Sequence, residues 1–215
     1  MRVLEADALI RFNIHHFIQL ELIMRECSKV DWLEGNCFYK HLTLEIDPTL
    51  KTKQQNILEL AKGRKNILEI GFNAGHSCLL MLIVNPFCHI TALDICEHTY
   101  VRKCFDYLSK EFEGRITLIE GDSTITLPLL VEQKQKYDLI HVDGGHATET
   151  AQSDFKNSIK LMTPTTMIIL DDTDLIQLQA MWTDYTSQGI IEDCSTEYLP
   201  ALHSIGKLAT TFRSS

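Results

Sequence analysis

The chain has 215 residues, 45% of them apolar and 23% charged, which suits one α/β domain able to bury a sizeable core. Twenty-nine acidic residues against 20 basic ones give a net charge of −9, a field that repels phosphate backbones and disfavours nucleic acid as a partner. No apolar stretch is long enough to span a membrane, and Glu5, Asp7, Arg11, Gln19 and Glu21 break up the N-terminal apolar positions without a signal-peptide pattern, so a soluble, cytoplasmic protein is expected.

Residues 3–27 carry apolar positions at mostly three- and four-residue intervals, including Leu4, Ala8, Phe12, Phe17, Leu20 and Met24, which predicts one or two helices ahead of a sheet. Packing within the chain is their expected use; a cover over a binding cleft and a homodimer contact are the alternatives. Residues 31–49 are irregular, with Gly35, Pro48, Trp32, Phe38 and Tyr39, and suit a loop that lines a pocket. A short helix is expected over 54–62. Residues 66–77 then read Asn-Ile-Leu-Glu-Ile-Gly-Phe-Asn-Ala-Gly-His-Ser. Ile67, Leu68 and Ile70 make the apolar run of a strand covered on both faces, Gly71 and Gly75 bracket a tight turn, and His76–Val84 resumes with helical spacing. Strand, glycine turn and helix in that order form the ligand-binding corner of a doubly wound α/β sheet. Glycine there lets a ligand approach the backbone N–H groups. A dinucleotide fingerprint needs glycine at the middle position, where this chain has Asn73.

Further along, strands are expected at 89–95, 115–121, 137–142 and 167–170, alternating with helices at 97–110, 123–133, 149–162 and 175–186. Segments 190–197 and 204–212 read as a closing antiparallel pair. The alternation predicts a mostly parallel sheet with helices on both faces. Asp94, Asp122, Asp143, Asp171 and Asp172 all fall at strand C-terminal ends, where open α/β sheets bind ligands. Asp94 follows the glycine corner at the interval that brings a carboxylate to a ribose, and Ser123 reads as a helix N-cap. The seven cysteines are scattered, without a Cys-x-x-Cys pair, and read as reduced packing residues.

Glu69-x-Gly71-x-x-x-Gly75 resembles motif I of the class I S-adenosylmethionine-dependent methyltransferases. The stretch His141-Val-Asp143-Gly-Gly-His146-Ala-Thr-Glu149, followed by Asp154, Pro164 and Asp171-Asp172, resembles the small-molecule O-methyltransferases that act on sugars and other natural products, and their catechol-type relatives. Thr148 stands where those enzymes have an aromatic, and Thr165-Thr166 where they have Gly-Gly after the proline. The resemblance implies a Rossmann-like seven-stranded sheet in the order 3-2-1-4-5-7-6, as one domain over 1–215, with 1–62 an N-terminal extension that helps form the substrate pocket. It implies S-adenosylmethionine as cofactor, held by Glu69, Gly71, Phe72, Asn73, Gly75, Ser77, Asp94, Gly121, Asp122, Ser123 and Asp143. It implies a divalent cation, Mg²⁺ or another hard ion, on Asp143, Asp171 and Asp172. Finally, it implies His146 as the group that accepts the proton of a hydroxylated small molecule, with Asp143 beside it as the second catalytic residue. The cation is expected to oppose protonation of that histidine. The alternatives are a Rossmann-type oxidoreductase, a hydroxylase with the same carboxylates, and a catalytically silent cofactor-binding protein. His203 has no assigned role.

Overall fold

The computed structural model describes residues 3–27, 37, 38 and 47–210. One seven-stranded sheet is built from β1 (Asn66–Ile70), β2 (His89–Asp94), β3 (Ile116–Glu120), β4 (Tyr137–Val142), β5 (Met162–Leu170), β6 (Ile191–Asp193) and β7 (Ser204–Leu208). The order is β3-β2-β1-β4-β5-β7-β6, as the resemblance implied. β1–β5 are parallel, and β7 runs antiparallel between β5 and β6. The helices are α1 (Val3–Phe12), α2 (Ile14–Cys27), α3 (Lys51–Ala61), α4 (His76–Val84), α5 (Val101–Glu111), α6 (Ser123–Glu132), α7 (Thr148–Leu161) and α8 (Ile176–Ser187). No helix among the described residues is long and apolar enough to cross a membrane.

β1 shows why this sequence makes the middle of the sheet. Its alternate residues serve opposite faces: Ile67 packs in the core beneath α1–α5, whereas Leu68 and Ile70 join the core beneath α6–α8. All three are buried, as a parallel strand covered twice requires. Glu69 falls on the first face, opposite His141 in the β1–β4 register, so a polar file enters an otherwise apolar layer. α5 docks on the same side through Val101, Cys104 and Leu108, spaced at three and four residues. Arg115 closes α4 by donating from Nη2 to the carbonyls of Leu82 at 2.8 Å and Asn85 at 2.5 Å.

Several boundaries differ from expectation, each for a local reason. α3 begins at Lys51, because a 3₁₀ turn at Pro48–Leu50, capped by Asp47, leads straight into it. α5 starts at Val101, later than expected. β5 extends back to Met162, with a register slip between the Tyr137–Met162 and Leu139–Met167 pairs. Thr166, buried in that slip, donates to the Tyr137 carbonyl at 2.5 Å and accepts from the Thr163 N–H at 2.7 Å. The threonines that replace two expected glycines therefore have their own hydrogen bonds. The strand expected over 190–197 ends at Asp193, and a 3₁₀ turn at Ser195–Glu197 takes its second half. Most of the loop expected over 31–49, and the end of the strand expected over 204–212, lie outside the described residues. The cysteines are all free thiols, six of the seven buried, as a packing role requires.

Candidate active site

The C-terminal ends of β1–β4 open into a cleft of about 530 Å³. Gly71, Phe72, Asn73 and Ser77 line it from the β1–α4 corner, Asp94 from β2, and residues 121–123 and 143–146 from the turns after β3 and β4. Cys37 and His76 close the side nearest the N-terminal helices. Of the cofactor residues expected from sequence, Glu69 and Gly75 do not reach the lining.

Gly71 is fixed by backbone contact. Its φ is +91°, and a Cβ built there would lie 1.9 Å from the Asp143 carbonyl oxygen. The β4 turn thus passes directly against the β1 turn, a stronger demand for glycine than clearance for a ligand. Asp94 ties two more turns together, since Oδ2 accepts the Asn73 N–H and Oδ1 the Cys96 N–H, both at 2.7 Å. Each carboxylate oxygen keeps a second lone pair for a ligand hydroxyl. The N-cap of α6 is Asp122 rather than the expected Ser123: Asp122 Oδ1 accepts from the Thr124 N–H and hydroxyl, which hold its carboxyl below the usual range.

Behind the cleft floor lies a buried chain of ionisable groups. Glu69 is fully buried and accepts from the Ser77 hydroxyl and the Cys78 thiol. The expectation that Glu69 contacts a cofactor is corrected here: its carboxylate braces α4 from behind. His141 Nδ1 lies 3.1 Å from Glu69 Oε1, and its Nε2 lies 3.7 Å from Asp171 Oδ2. Lys53, reaching in from α3, pairs with the same Asp171 oxygen. Burial disfavours charge on His141, yet Asp171 and Glu69 outweigh it and raise the imidazole to about 10. Burial likewise opposes the Lys53 charge, and Asp171 with Asp143 overcomes it, holding the ammonium above the usual lysine range. Burial alone would raise Asp171, but Lys53 and His141 bring its carboxyl well below the ordinary value. Asp143 moves the other way, raised first by burial and then by the Asp171 charge.

In front of that chain, facing the cleft, His146 Nε2 meets Asp172 Oδ2 at 2.9 Å. Asp172 adopts a φ of +52°, and its N–H donates to Asp171 Oδ1 at 3.0 Å. That backbone turn points two successive carboxylates in different directions. The hydrogen bond to Asp172 raises the His146 pKa, opposite to the influence expected of a cation. Beneath this loop, Asp154 is fully buried, and burial raises its carboxyl to about 6. His203, unassigned from sequence, has a structural partner: Asn56 Nδ2 donates to its Nε2 at 2.9 Å, tying α3 to the segment before β7.

Asp143, Asp171 and Asp172 do not converge on one point. Asp143 shares one close group with His141 and Asp171 and another with His146 and Asp172. The inner group already stands against two cationic side chains, the buried His141 and the half-buried Lys53. Like unit charges 4 Å apart repel by about 4 kcal/mol at the effective dielectric of a protein surface, so a divalent ion there would be opposed. The outer group uses the nitrogen of His146 that Asp172 already engages. The trio expected from sequence therefore does not fit a hard divalent ion. Lys53 and His141 are the residues that sequence reading missed. Lys53 stands in the polar run Lys-Thr-Lys-Gln-Gln-Asn at residues 51–56, which reads as solvent-facing, and His141 sits within a strand.

The sequence over residues 68–173, about half the chain, matches the family model described as a methyltransferase domain. A comparison with curated proteins returns no match. Among solved structures, a Staphylococcus aureus protein provisionally named a caffeoyl-CoA O-methyltransferase superposes with a TM-score of 0.63 at 18% identity, covering 96% of this chain and 99% of that one. An O-methyltransferase from Bacillus cereus in complex with SAH gives 0.65 at 15% identity, covering 89% and 90%. The O-methyltransferase TomG from Streptomyces achromogenes, in complex with SAM, gives 0.60 at 14% identity, covering 73% and 79%. The strand order and the family match over residues 68–173 together mean that this chain belongs to the class I S-adenosylmethionine-dependent methyltransferases.

Proposed function

We propose that the protein transfers a methyl group from S-adenosylmethionine to a hydroxyl of a small molecule. The observation that carries this reading is the His146–Asp172 pair, set at one end of a cleft whose other walls are the glycine corner, Asp94 and residues 121–123. The cofactor lies along Gly71, Phe72, Asn73 and Ser77, with its ribose hydroxyls on Asp94 and its adenine at the Gly121-Asp122-Ser123 turn. That the B. cereus and TomG structures carry SAH and SAM supports an S-adenosyl cofactor for this fold. The N-terminal segment 1–62 contributes to the acceptor side, where Cys37 already lines the cleft.

In the reaction an acceptor oxygen lone pair attacks the sulfonium methyl carbon. The carbon–sulfur bond breaks with its electron pair left on sulfur, and the hydroxyl proton must leave as the new bond forms. Asp172 holds Nε2 of His146, which leaves Nδ1 to take that proton, and Asp172 stabilises the resulting imidazolium. Asp143, between this pair and the buried charges, bounds the acceptor's hydroxyl on the floor of the cleft. The divalent cation implied by the resemblance enters none of these steps, because the carboxylates do not fit it.

The test is transfer of a labelled methyl group to a panel of catechols, sugars and other hydroxylated acceptors, with Asp94→Ala as the site control. Losing a hydrogen bond to a charged group costs about 1.5–3 kcal/mol, so Asp94→Ala should weaken cofactor binding roughly ten- to a hundredfold. A thermal shift with NAD and none with S-adenosylmethionine would favour the oxidoreductase instead. Cofactor binding without transfer to any acceptor would favour the silent binding protein.

A further inference from the structure

We propose that Lys53 is the built-in cation of this site, filling from α3 the position beside Asp143 and Asp171 where a divalent ion would otherwise sit, so that catalysis needs no metal. The inference rests on the reading of the cleft as a methyl-transfer site. Three observations carry it. First, the Lys53 ammonium is in direct contact with Asp171 Oδ2, and its side chain is only 13% exposed. Second, Asp171 already faces nitrogen donors of this chain. Oδ2 faces Lys53 with His141 Nε2 nearby, Oδ1 accepts the Asp172 N–H, and the residue is 1% exposed. Third, the inner carboxylates already face nitrogens of this chain: Glu69 Oε1 lies 3.1 Å from His141 Nδ1, Asp171 is in contact with the Lys53 ammonium, and neither lines the cleft as Asp143 does. A hard-ion site needs several uncommitted oxygens around one point, and a buried ammonium among them supplies the same compensation permanently.

Lys53 does not line the cleft, so it acts as a positioning residue. It keeps Asp171 ionised and turned inward, which leaves Asp143, His146 and Asp172 to face the acceptor.

The experiment is a Mn²⁺ titration of the full-length protein, saturated with S-adenosylhomocysteine and followed by the electron paramagnetic resonance signal of free Mn²⁺. Wild-type protein should leave the free-ion signal unchanged, and methyl transfer should be the same in excess chelator. Retention of one Mn²⁺ per wild-type chain would overturn the proposal whether or not the protein methylates a hydroxyl. Failure to transfer to any acceptor would instead count against the O-methyltransferase reading alone. Lys53→Gln removes the charge and keeps a donor at nearly the same reach, so the folded variant should retain one Mn²⁺ that the wild type does not. A merely structural lysine would cost the variant thermal stability and gain it no Mn²⁺, which would also overturn the proposal. Should the variant not fold, the wild-type titration still decides.

Discussion

His146 reaches Asp172 through Nε2, and that contact sets the pH at which the histidine can work. A proton acceptor must be neutral, and Asp172 favours the protonated ring, so the acid limb of the turnover profile should lie above the ordinary histidine value of 6.5. Asp172→Asn removes the anionic partner while keeping an oxygen in place. Its limb should shift toward lower pH, with cofactor affinity nearly unchanged. His146→Ala should lower turnover by about 10²–10⁴-fold, the usual contribution of a positioned acid–base group. A pH–rate profile on both folded variants checks this, and coincident limbs for wild type and Asp172→Asn would remove Asp172 from the mechanism. Sequence puts His146 on the strand-end loop, because three residues after a strand-end Asp is a property of the chain itself, and His146 lines the cleft. It did not show which of two adjacent aspartates would meet the histidine, since the left-handed backbone at Asp172 decides that.

The β1–α4 corner and the β4–α7 turn are one unit at the scale of elements, because Gly71 and the Asp143 carbonyl are in contact across them. Gly63 offers a control, with a φ of +70° against +91° at Gly71 and nothing within 4 Å of an added Cβ. Gly63→Ala should cost about 1 kcal/mol of left-handed strain. Gly71→Ala should cost roughly 3 kcal/mol or more, since the intruding carbon meets backbone that cannot rotate away. Urea denaturation of the two variants compares them directly, and equal losses would mean that the contact contributes nothing. This scale also shows what the sequence can disclose. β1, α4 and β4 were legible because their apolar runs and glycines are local signals, and strand-end acids fall where the topology collects them. The inner charges were not legible. Lys53 meets Asp171 only through the packing of α3 against the sheet, with its side chain 13% exposed. His141 is raised by Asp171 and by Glu69, the latter brought opposite it by the strand register from 72 positions away in sequence. Both depend on tertiary pairing that no local pattern encodes.

For the whole molecule, buried titratable groups couple stability to pH on both sides of neutrality. His76 and His203 are each lowered from 6.5 to about 4, by burial in both cases. A base with a depressed folded pKa contributes stability that is fully present above its unfolded value and is lost as pH falls from 6.5 toward 4. At 1.36 kcal/mol per unit, each histidine accounts for roughly 3 kcal/mol over that window. Asp154 works against them, because a carboxyl raised from 3.8 to about 6 contributes stability that is present at acid pH and lost as pH rises through 6. Asp143 is raised in the same direction as Asp154, so two histidines stand against two carboxyls between pH 6.5 and 4. On the alkaline side, His141 is raised to about 10, and the stability it contributes is full below 6.5 and lost as pH climbs through 10. His203→Gln isolates one contribution, since its side-chain oxygen can accept the Asn56 N–H that His203 Nε2 accepts at 2.9 Å. The variant cannot titrate, so relative to wild type it should gain roughly 3 kcal/mol as pH falls from 7 to 4, or about 6–12 °C in melting temperature for a domain of this size. Melting curves taken across that range make the comparison. If the two proteins kept a constant gap at every pH, His203 would titrate alike in the folded and unfolded chain, and any acid limb would have to come from His76 and the other titrating groups.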